Sequence, residues 1–164
     1  MAIVTFYRGD PANAPKPTMP AHLGANAIIT CGGRLLLERR LDSNTWGLIG
    51  GGVKKSESTT EGMIREIYEE LGLRVLPAQL HKLRVYGEPG RIAAFQDGSI
   101  WRMVIVVYGL ELAKGPELHI SPESRELRFF TKEEIAQITL AVTHQDIVED
   151  WFLQQERPGK YEEK

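Results

Sequence analysis

The 164-residue chain has a single cysteine, Cys31, and this scarcity limits what the protein can be. One thiol cannot close a disulfide within the chain, and it cannot assemble a thiolate metal cluster. A protein of the reducing cytoplasm fits this composition best. Because Cys31 follows the apolar pair Ile28 and Ile29, we assign it to the core and give it no catalytic role.

Long hydrophobic runs and an excess of one charge are also missing. No segment has the length of a membrane span, and the N-terminus reaches Arg8 and Asp10 too early for a signal peptide. The 22 acidic and 20 basic residues nearly cancel, which argues against a protein that coats nucleic acid or an anionic membrane. Any recognition of phosphate must therefore be local.

Length and composition fit one compact domain with a short segment at each end. With 42% hydrophobic residues, the chain can bury a single core. Residues 1–20 are predicted to form an extended N-terminal arm, since the run from Asp10 through Pro20 contains four prolines. The domain itself is predicted over 21–156, and 157–164 form a polar C-terminal tail. The arm is a candidate for packing on a partner subunit in a homodimer.

Strands interrupted by single helices are predicted along the domain. Gly32 and Gly33 permit a tight turn, and capping boxes at Ser58 and Thr131 predict the starts of two helices, the first of which stops at Gly72. This order without regular alternation predicts an α+β fold with a mixed sheet and helices on its faces. The predicted strands are Leu23–Thr30, Arg34–Arg39, Trp46–Ile49 ended by Gly50–Gly52, Leu80–Tyr86, Ile100–Leu112 and Glu126–Phe130; Gly87–Ser99 is predicted as a substrate-facing loop and Thr143–Gln155 as a last helix.

Three glutamates on the first helix are spaced so that their side chains converge. Glu66, Glu69 and Glu70 occupy positions i, i+3 and i+4, on the side opposite the apolar stripe that includes Ile67. A solvated acidic face would show the same spacing, so the spacing alone does not distinguish a metal site from a solvated surface. Gly62 on the carboxylate side leaves room beside the acids, and such oxygen ligands suit Mg²⁺, with Mn²⁺ as the alternative.

The stretch from Gly51 to Leu73 resembles the Nudix box, which has the pattern G-x5-E-x7-R-E-U-x-E-E-x-G-U with U a bulky aliphatic residue. A chance match to the whole pattern has a probability on the order of 10⁻⁷ or less at average residue usage. Nearby departures from common family usage, at Ile49, Lys54 and Ser56, remove no charged position of the box. The specified positions are filled by Gly51, Glu57, Arg65, Glu66, Ile67, Glu69, Glu70, Gly72 and Leu73.

This resemblance implies the Nudix fold, an α/β/α sandwich around a mixed sheet, and a Mg²⁺-dependent pyrophosphohydrolase. Its expected partner is a nucleotide-type small molecule in which a nucleoside diphosphate is linked to another group, and Pro89 tilts the choice toward ADP-ribose. A nucleotide-pool sanitising triphosphate pyrophosphatase is the alternative within the family. A noncatalytic nucleotide-binding sensor on the same fold is the alternative outside enzymes.

The resemblance also assigns roles to residues. Glu66, Glu69 and Glu70 would hold the cation with the backbone carbonyl of Gly50, while Glu57 and Arg65 would orient Glu66. The general base is either a box glutamate or an acid of a later loop, for which Glu123 and then Glu126 are the candidates. For substrate contacts we expect Arg39 and Arg40 at a phosphate and Tyr86, Phe95 or Trp101 at a base, although core packing is the alternative for the aromatics.

Overall fold

The computed structural model describes residues 4–9 and 12–157. Within them the secondary structure consists of strands and helices in an irregular order, as the sequence predicts. The strands are β1 Val4–Tyr7, β2 His22–Cys31, β3 Arg34–Arg40, β4 Trp46–Gly47, β5 Ile49–Gly52, β6 His81–Tyr86, β7 Ile92–Phe95, β8 Ile100–Leu112 and β9 Ser124–Phe130; the helices are α1 Thr59–Leu71, α2 Lys132–Ile135 and α3 Gln145–Glu156.

The sheet is mixed and has β2 and β8 at its centre. These two strands run parallel over ten residue pairs, whereas β2 pairs antiparallel with β5 and β3. Beyond β8 lie β6 and β7, both antiparallel to it, and β1 joins the outer side of β7. Beyond β3 lie β4 and β9. The parallel pair needs a long crossover connection, and α1 forms part of it.

Alternate residues of the central strands build a core on each face of the sheet. Ala27 and Ile29 of β2 pack with Met63, Ile67 and Leu71, the apolar side of α1. The opposite face packs against α2 and α3 through a second cluster, which contains Ile28, Leu35, Phe130, Ile135 and Ile147. Helices therefore cover both faces, and the predicted α+β sandwich around a mixed sheet is confirmed.

Local signals place α1 as the sequence predicts. The Ser58 hydroxyl accepts a hydrogen bond from the backbone N–H of Glu61, whose carboxylate in turn accepts one from the Ser58 backbone. The helix ends at Gly72, which adopts the left-handed conformation with φ +74° and whose N–H donates to the Tyr68 carbonyl. Glycine is favoured there because a side chain strains this conformation.

Two predictions about local structure are wrong. Gly50–Gly52 do not end a strand, because all three lie within β5 and pair with β2. The segment 87–99, predicted as a loop, contains β7, which is too short for its pattern to stand out. The N-terminal segment includes β1, which pairs with β7 of its own chain.

The ends of the chain leave other predictions open. Of the predicted polar tail at 157–164, only Arg157 lies within the described residues. The boundaries at residues 20 and 156, and a homodimer built on the N-terminal segment, stay predictions. In the described part of the chain, every helix is too short or too polar to cross a membrane.

Candidate active site

β5 and the second half of α1 bring backbone and carboxylates together. Gly50 has φ +152°, and an added Cβ there would lie 2.1 Å from the Ala25 carbonyl oxygen. A Cβ on Gly51 would lie 2.6 Å from Oε1 of Glu66. Both positions therefore require glycine, the first because of β2 and the second because a carboxylate occupies the space of a side chain.

The three box glutamates differ in their surroundings. Glu70 is only 7% exposed, and its Oε2 accepts a hydrogen bond of 3.3 Å from the backbone N–H of Gly50. The side chain of Glu66 is also largely buried, with 14% of its surface exposed. The side chain of Glu69 is 52% exposed, and its Oε2 lies 3.0 Å from Nη1 of Arg65. Glu66 and Glu70 line a cavity, whereas Glu69 lies outside its lining.

Arg65 connects the loop before α1 with the carboxylates on the helix. Its Nη2 donates to Glu57 Oε1 at 2.7 Å and to the carbonyl oxygen of Gly52 at 2.9 Å. Its Nη1 donates to Glu66 Oε1 at 3.0 Å. Hydrogen bonds from Arg65 and then from the Lys54 backbone lower the pKa of Glu57 to about 2. The structure thus places Glu57 and Arg65 where they can orient Glu66.

A third buried carboxylate, Glu38, lies beside the box glutamates and was not predicted from the sequence. It belongs to β3, is 4% exposed, and its Oε2 accepts a 2.6 Å hydrogen bond from the Ser124 hydroxyl. Nη1 of Arg40 lies 3.8 Å from the other oxygen of Glu38. Arg40 also donates to Asp42 through Nε at 2.9 Å and through Nη2 at 2.6 Å. All three charged side chains line the cavity.

These carboxylates lie close enough to disturb one another's ionisation. Burial, and then the charges of Glu38 and Glu66, raise the pKa of Glu70 to about 10. Burial also raises the pKa of Glu66, although Arg65 opposes it, and that of Glu38, although the Ser124 hydrogen bond opposes it. All three buried acids therefore hold their protons more tightly than an isolated glutamate does.

The cavity itself has a volume of about 700 Å³. Its lining divides into a charged part, with the glycines of β5 and the carboxylates, and an apolar part formed by β1, β7 and β8. The charged part is lined by Glu38, Arg40, Asp42, Gly50, Gly51, Gly52, Glu66, Glu70 and Glu123, and the apolar part by Val4, Phe6, Ala93, Phe95, Met103 and Ile105.

The structure separates the predicted substrate and base residues into two groups. Arg40, Glu123 and Phe95 line the cavity. Arg39 and Glu126 do not, and they face each other as partners in the β3–β9 ladder. Lys54 and Lys55 are exposed, and neither belongs to the lining.

Two predicted aromatic contacts are not supported. Tyr86 is 4% exposed in the core, and its hydroxyl donates to Asp150 at 2.8 Å, so a role in stacking on substrate is not supported. Trp101 packs edge-on against His22 and does not line the cavity. Of the three aromatic candidates, Phe95 is thus the one that faces the site.

His144 lies at the start of α3 and faces the cavity. It occupies the N-cap position of α3 without a capping hydrogen bond, and it is buried in the cavity lining. Its Nδ1 accepts a 3.1 Å hydrogen bond from the backbone N–H of Leu48. Burial, and then the charges of Arg40 and Arg91, lower the pKa of His144 to about 3. The imidazole is therefore neutral.

No preformed metal-binding set is present in residues 4–9 and 12–157, since no three His, Cys, Asp or Glu side chains meet the geometry of a ligand group. The acidic centre of the site is instead the pair Glu66 and Glu70 with Glu38 beside it. Glu38 carries no sequence signal, because a single glutamate between the leucines and arginines of β3 gives no spacing to recognise.

Comparison with known proteins identifies the family. A family model described as the NUDIX domain matches residues 20–152, which is most of the chain. A MutT-like protein of Streptomyces ambofaciens is 28% identical over 132 residues, covering 80% of this chain and 77% of that protein. The chain belongs to the Nudix hydrolase family, and the predicted enzyme class is confirmed.

Further relatives share a shorter segment or the fold. An RNA pyrophosphohydrolase of Shewanella sp. (strain W3-18-1) is 43% identical over 58 residues, which is 34% of this chain and 32% of that protein. The chain thus matches about a third of that relative's length. The NUDIX domain of Shewanella oneidensis NrtR, solved with ADP ribose, superposes with a TM-score of 0.65 at 18% identity, covering 90% of this chain and 94% of that one.

Another structural relative is the bifunctional NMN adenylyltransferase/ADP ribose pyrophosphatase of Francisella tularensis. It superposes with a TM-score of 0.63 at 19% identity, covering 90% of this chain and 44% of that one. At these identities the structural comparisons show the fold.

Proposed function

We propose that the protein is a Mg²⁺-dependent pyrophosphohydrolase that cleaves the diphosphate linkage of a nucleoside diphosphate joined to another group. The observation that carries this proposal is the cluster of buried carboxylates, Glu38, Glu66 and Glu70, beside the glycine backbone of β5 in one cavity. Family membership supports it independently.

The chemistry of the carboxylates fits a divalent cation. Burial, and then the charges of Glu38 and Glu66, raise the pKa of Glu70 to about 10, so among the residues that the structure describes these buried acids lack a fully compensating positive charge. Oxygen ligands of this kind suit Mg²⁺ or Mn²⁺. We assign the cation to Glu66, Glu69 and Glu70 with the carbonyl of Gly50, and Mn²⁺ is the alternative ion. Once bound, such a cation offsets charge on phosphate oxygens and makes hydroxide available near neutral pH.

The chain's own groups supply position and proton transfer. Arg65 holds the Glu66 carboxylate from one side, and the missing Cβ of Gly51 leaves it room on the other. Glu123 lies in the cavity lining and is our candidate for the general base, which would take a proton from the attacking water. Arg40 also lines the cavity and is our candidate for contact with a phosphate.

ADP-ribose is the first substrate to test. One structural relative, the NUDIX domain of NrtR, was solved with ADP ribose bound, and another is a bifunctional enzyme named as an ADP ribose pyrophosphatase. Nucleoside triphosphates, the substrates of the pool-sanitising alternative, are the second class of substrate to test. The RNA pyrophosphohydrolase relative matches only a short segment of the chain and does not change this order.

The experiment is a hydrolysis screen with Mg²⁺ and with EDTA over ADP-ribose, nucleotide sugars, dinucleoside polyphosphates and nucleoside triphosphates. Glu70→Gln keeps the size of the side chain and removes its charge, so we expect activity to fall by at least a hundredfold. Glu149→Gln makes the same change at an exposed position of α3 and should retain full activity.

The outcomes separate the alternatives. Turnover that needs Mg²⁺ and is lost only in Glu70→Gln supports the proposal and names the substrate class. Preference for a nucleoside triphosphate would favour the pool-sanitising alternative. Absence of turnover across the panel, with nucleotide binding retained, would overturn catalysis in favour of a sensor.

A further inference from the structure

The apolar part of the cavity is built by a strand that lies outside the span matched by the family model. Val4 and Phe6 of β1 pair with Phe95 and Ala93 of β7, in that order, and all four side chains line the cavity. Directly opposed residues of an antiparallel pair project to the same face of a sheet. The two strands therefore present a continuous apolar surface, with Phe6 and Phe95 as its aromatic members.

This surface is held in place by charged contacts to the start of α3. Nε of Arg8, which directly follows β1, donates to the Val142 carbonyl at 2.9 Å, and its Nη2 lies 3.3 Å from Oε1 of Gln145. Arg91, just before β7, is fully buried and forms an ion pair with Asp146. Both strands are thus anchored to the segment around the start of α3, which gives the apolar surface a defined position.

This apolar surface and the carboxylates line one and the same cavity of about 700 Å³, so one extended ligand can contact both. From β5, which carries Gly50–Gly52, the sheet passes through β2, β8 and β7 to β1. A ligand bound with a charged group at β5 can therefore present its other end to β1.

The two phenylalanines are not part of the hydrophobic core. Phe6 and Phe95 are both partly exposed, whereas the residues of the two cores have at most 9% of their surface exposed. Neither phenylalanine is a member of either core cluster. An aromatic ring that faces a cavity in this way offers a stacking surface for a planar heterocycle.

We infer that Phe6 and Phe95 form the nucleobase subsite, so that the N-terminal strand, and not the box, determines how tightly the base of the substrate is bound. This inference rests on the proposed function, because it takes the charged part of the cavity as the diphosphate site. The polar groups of the substrate are held at β5 and α1, and its planar base lies against β1 and β7.

The test measures binding of two probes that differ in the base. AMP and ribose 5-phosphate are titrated by calorimetry into the full chain with Mg²⁺ and, separately, with EDTA. We expect Phe6→Ala to weaken AMP binding about tenfold, which is within the range for loss of one stacking aromatic side chain, and to leave ribose 5-phosphate binding unchanged. Phe6→Tyr keeps the ring and should bind AMP like the unaltered protein.

Tyr7→Ala is the matched control, since it removes an aromatic ring from the same strand at a position that does not line the cavity. We expect it to leave AMP binding unchanged. Equal weakening in Tyr7→Ala and Phe6→Ala, or equal loss for both probes, would show a structural effect and overturn the inference. Thermal unfolding of each variant verifies that β1 remains in place.

The binding test and the hydrolysis screen can fail independently. If substrate is hydrolysed but Phe6→Ala and Phe95→Ala bind AMP normally, the base subsite is wrong and the proposed activity stands. If no substrate is hydrolysed and AMP binding still depends on Phe6, the base subsite stands and the proposed activity is wrong.

Discussion

Nη2 of Arg65 lies 2.7 Å from Oε1 of Glu57, and this ion pair joins the loop after β5 to the middle of α1. The same guanidinium reaches the Gly52 carbonyl and the Glu66 carboxylate. One side chain thus connects strand, loop and helix at the acidic site. The position of Glu66 therefore depends on Arg65, which does not line the cavity itself.

We predict that Glu57→Gln lowers the kcat for hydrolysis of the substrate found in the screen by about 10-fold to 100-fold. This is the usual range when a group that orients a metal ligand is lost. Gln retains the shape of Glu57 but not the charge that holds Arg65. The check is steady-state kinetics as a function of Mg²⁺ concentration. Normal kinetics in Glu57→Gln, together with normal folding, would contradict the orienting role.

The box residues could be predicted because the pattern fixes chemistry and spacing together. Once Ser58 starts α1, positions i, i+3 and i+4 place Glu66, Glu69 and Glu70 on one side of the helix whatever surrounds it. Helical spacing does not predict burial, however. The structure buries Glu70 and leaves Glu69 half exposed because β5 covers only one edge of that side.

The residues that other elements bring to the site could not be predicted. Glu38 and Ser124 are 86 positions apart, and they meet only because β3 pairs with β9. Phe6 reaches the cavity because β1 pairs with β7 inside a segment that was read as a loop. Such contacts depend on strand pairing, which periodicity within one segment does not encode.

The second prediction concerns Gly51, where an added methyl group would lie within 3 Å of the Glu66 carboxylate. We expect Gly51→Ala to displace that carboxylate and to reduce kcat/KM by at least tenfold while the thermal midpoint changes by only a few degrees. Gly115→Ala is the control, since a Cβ there would meet nothing within 4 Å. If Gly51→Ala and Gly115→Ala show the same activity, the space at Gly51 is not required.

The third prediction is a pH dependence of stability that arises from His144. Burial, and then the charges of Arg40 and Arg91, lower its pKa from 6.5 to about 3. Between these two pH values the His144 side chain is therefore neutral in the folded protein and protonated in the unfolded chain. The contribution of His144 to stability is therefore complete above pH 6.5 and is lost progressively as the pH falls toward 3. The slope can reach about 1.4 kcal/mol per pH unit.

Chemical unfolding between pH 7 and 4 measures this slope. We expect His144→Gln to flatten it, because glutamine does not titrate, whereas His81→Gln alters an exposed histidine of β6 and should leave it unchanged. An unaltered slope in His144→Gln would mean that other groups, not His144, cause the loss of stability in acid.

The last prediction concerns Glu38, which adds a negative charge to a site that already holds Glu66 and Glu70. Without a divalent cation these carboxylates repel, so Glu38→Gln should raise the thermal midpoint in EDTA by a few degrees. Gln can still accept the Ser124 hydrogen bond, which limits the loss of packing. If the proposed cation binds here, the variant should lose part of the stabilisation that Mg²⁺ gives the unaltered protein.

Thermal scans of both proteins in EDTA and at increasing Mg²⁺ concentration test this, with Glu111→Gln on the exposed part of β8 as the control. The result that supports the argument is a crossing: Glu38→Gln is the more stable protein in EDTA and the less strongly stabilised one in Mg²⁺. A variant that is destabilised in both conditions would show that Glu38 serves the fold through Ser124 and Arg40. If Mg²⁺ stabilises the unaltered protein, Glu38→Gln and Glu111→Gln equally, the cation does not bind near Glu38. The charge of Glu38 would then interact with Arg40 alone.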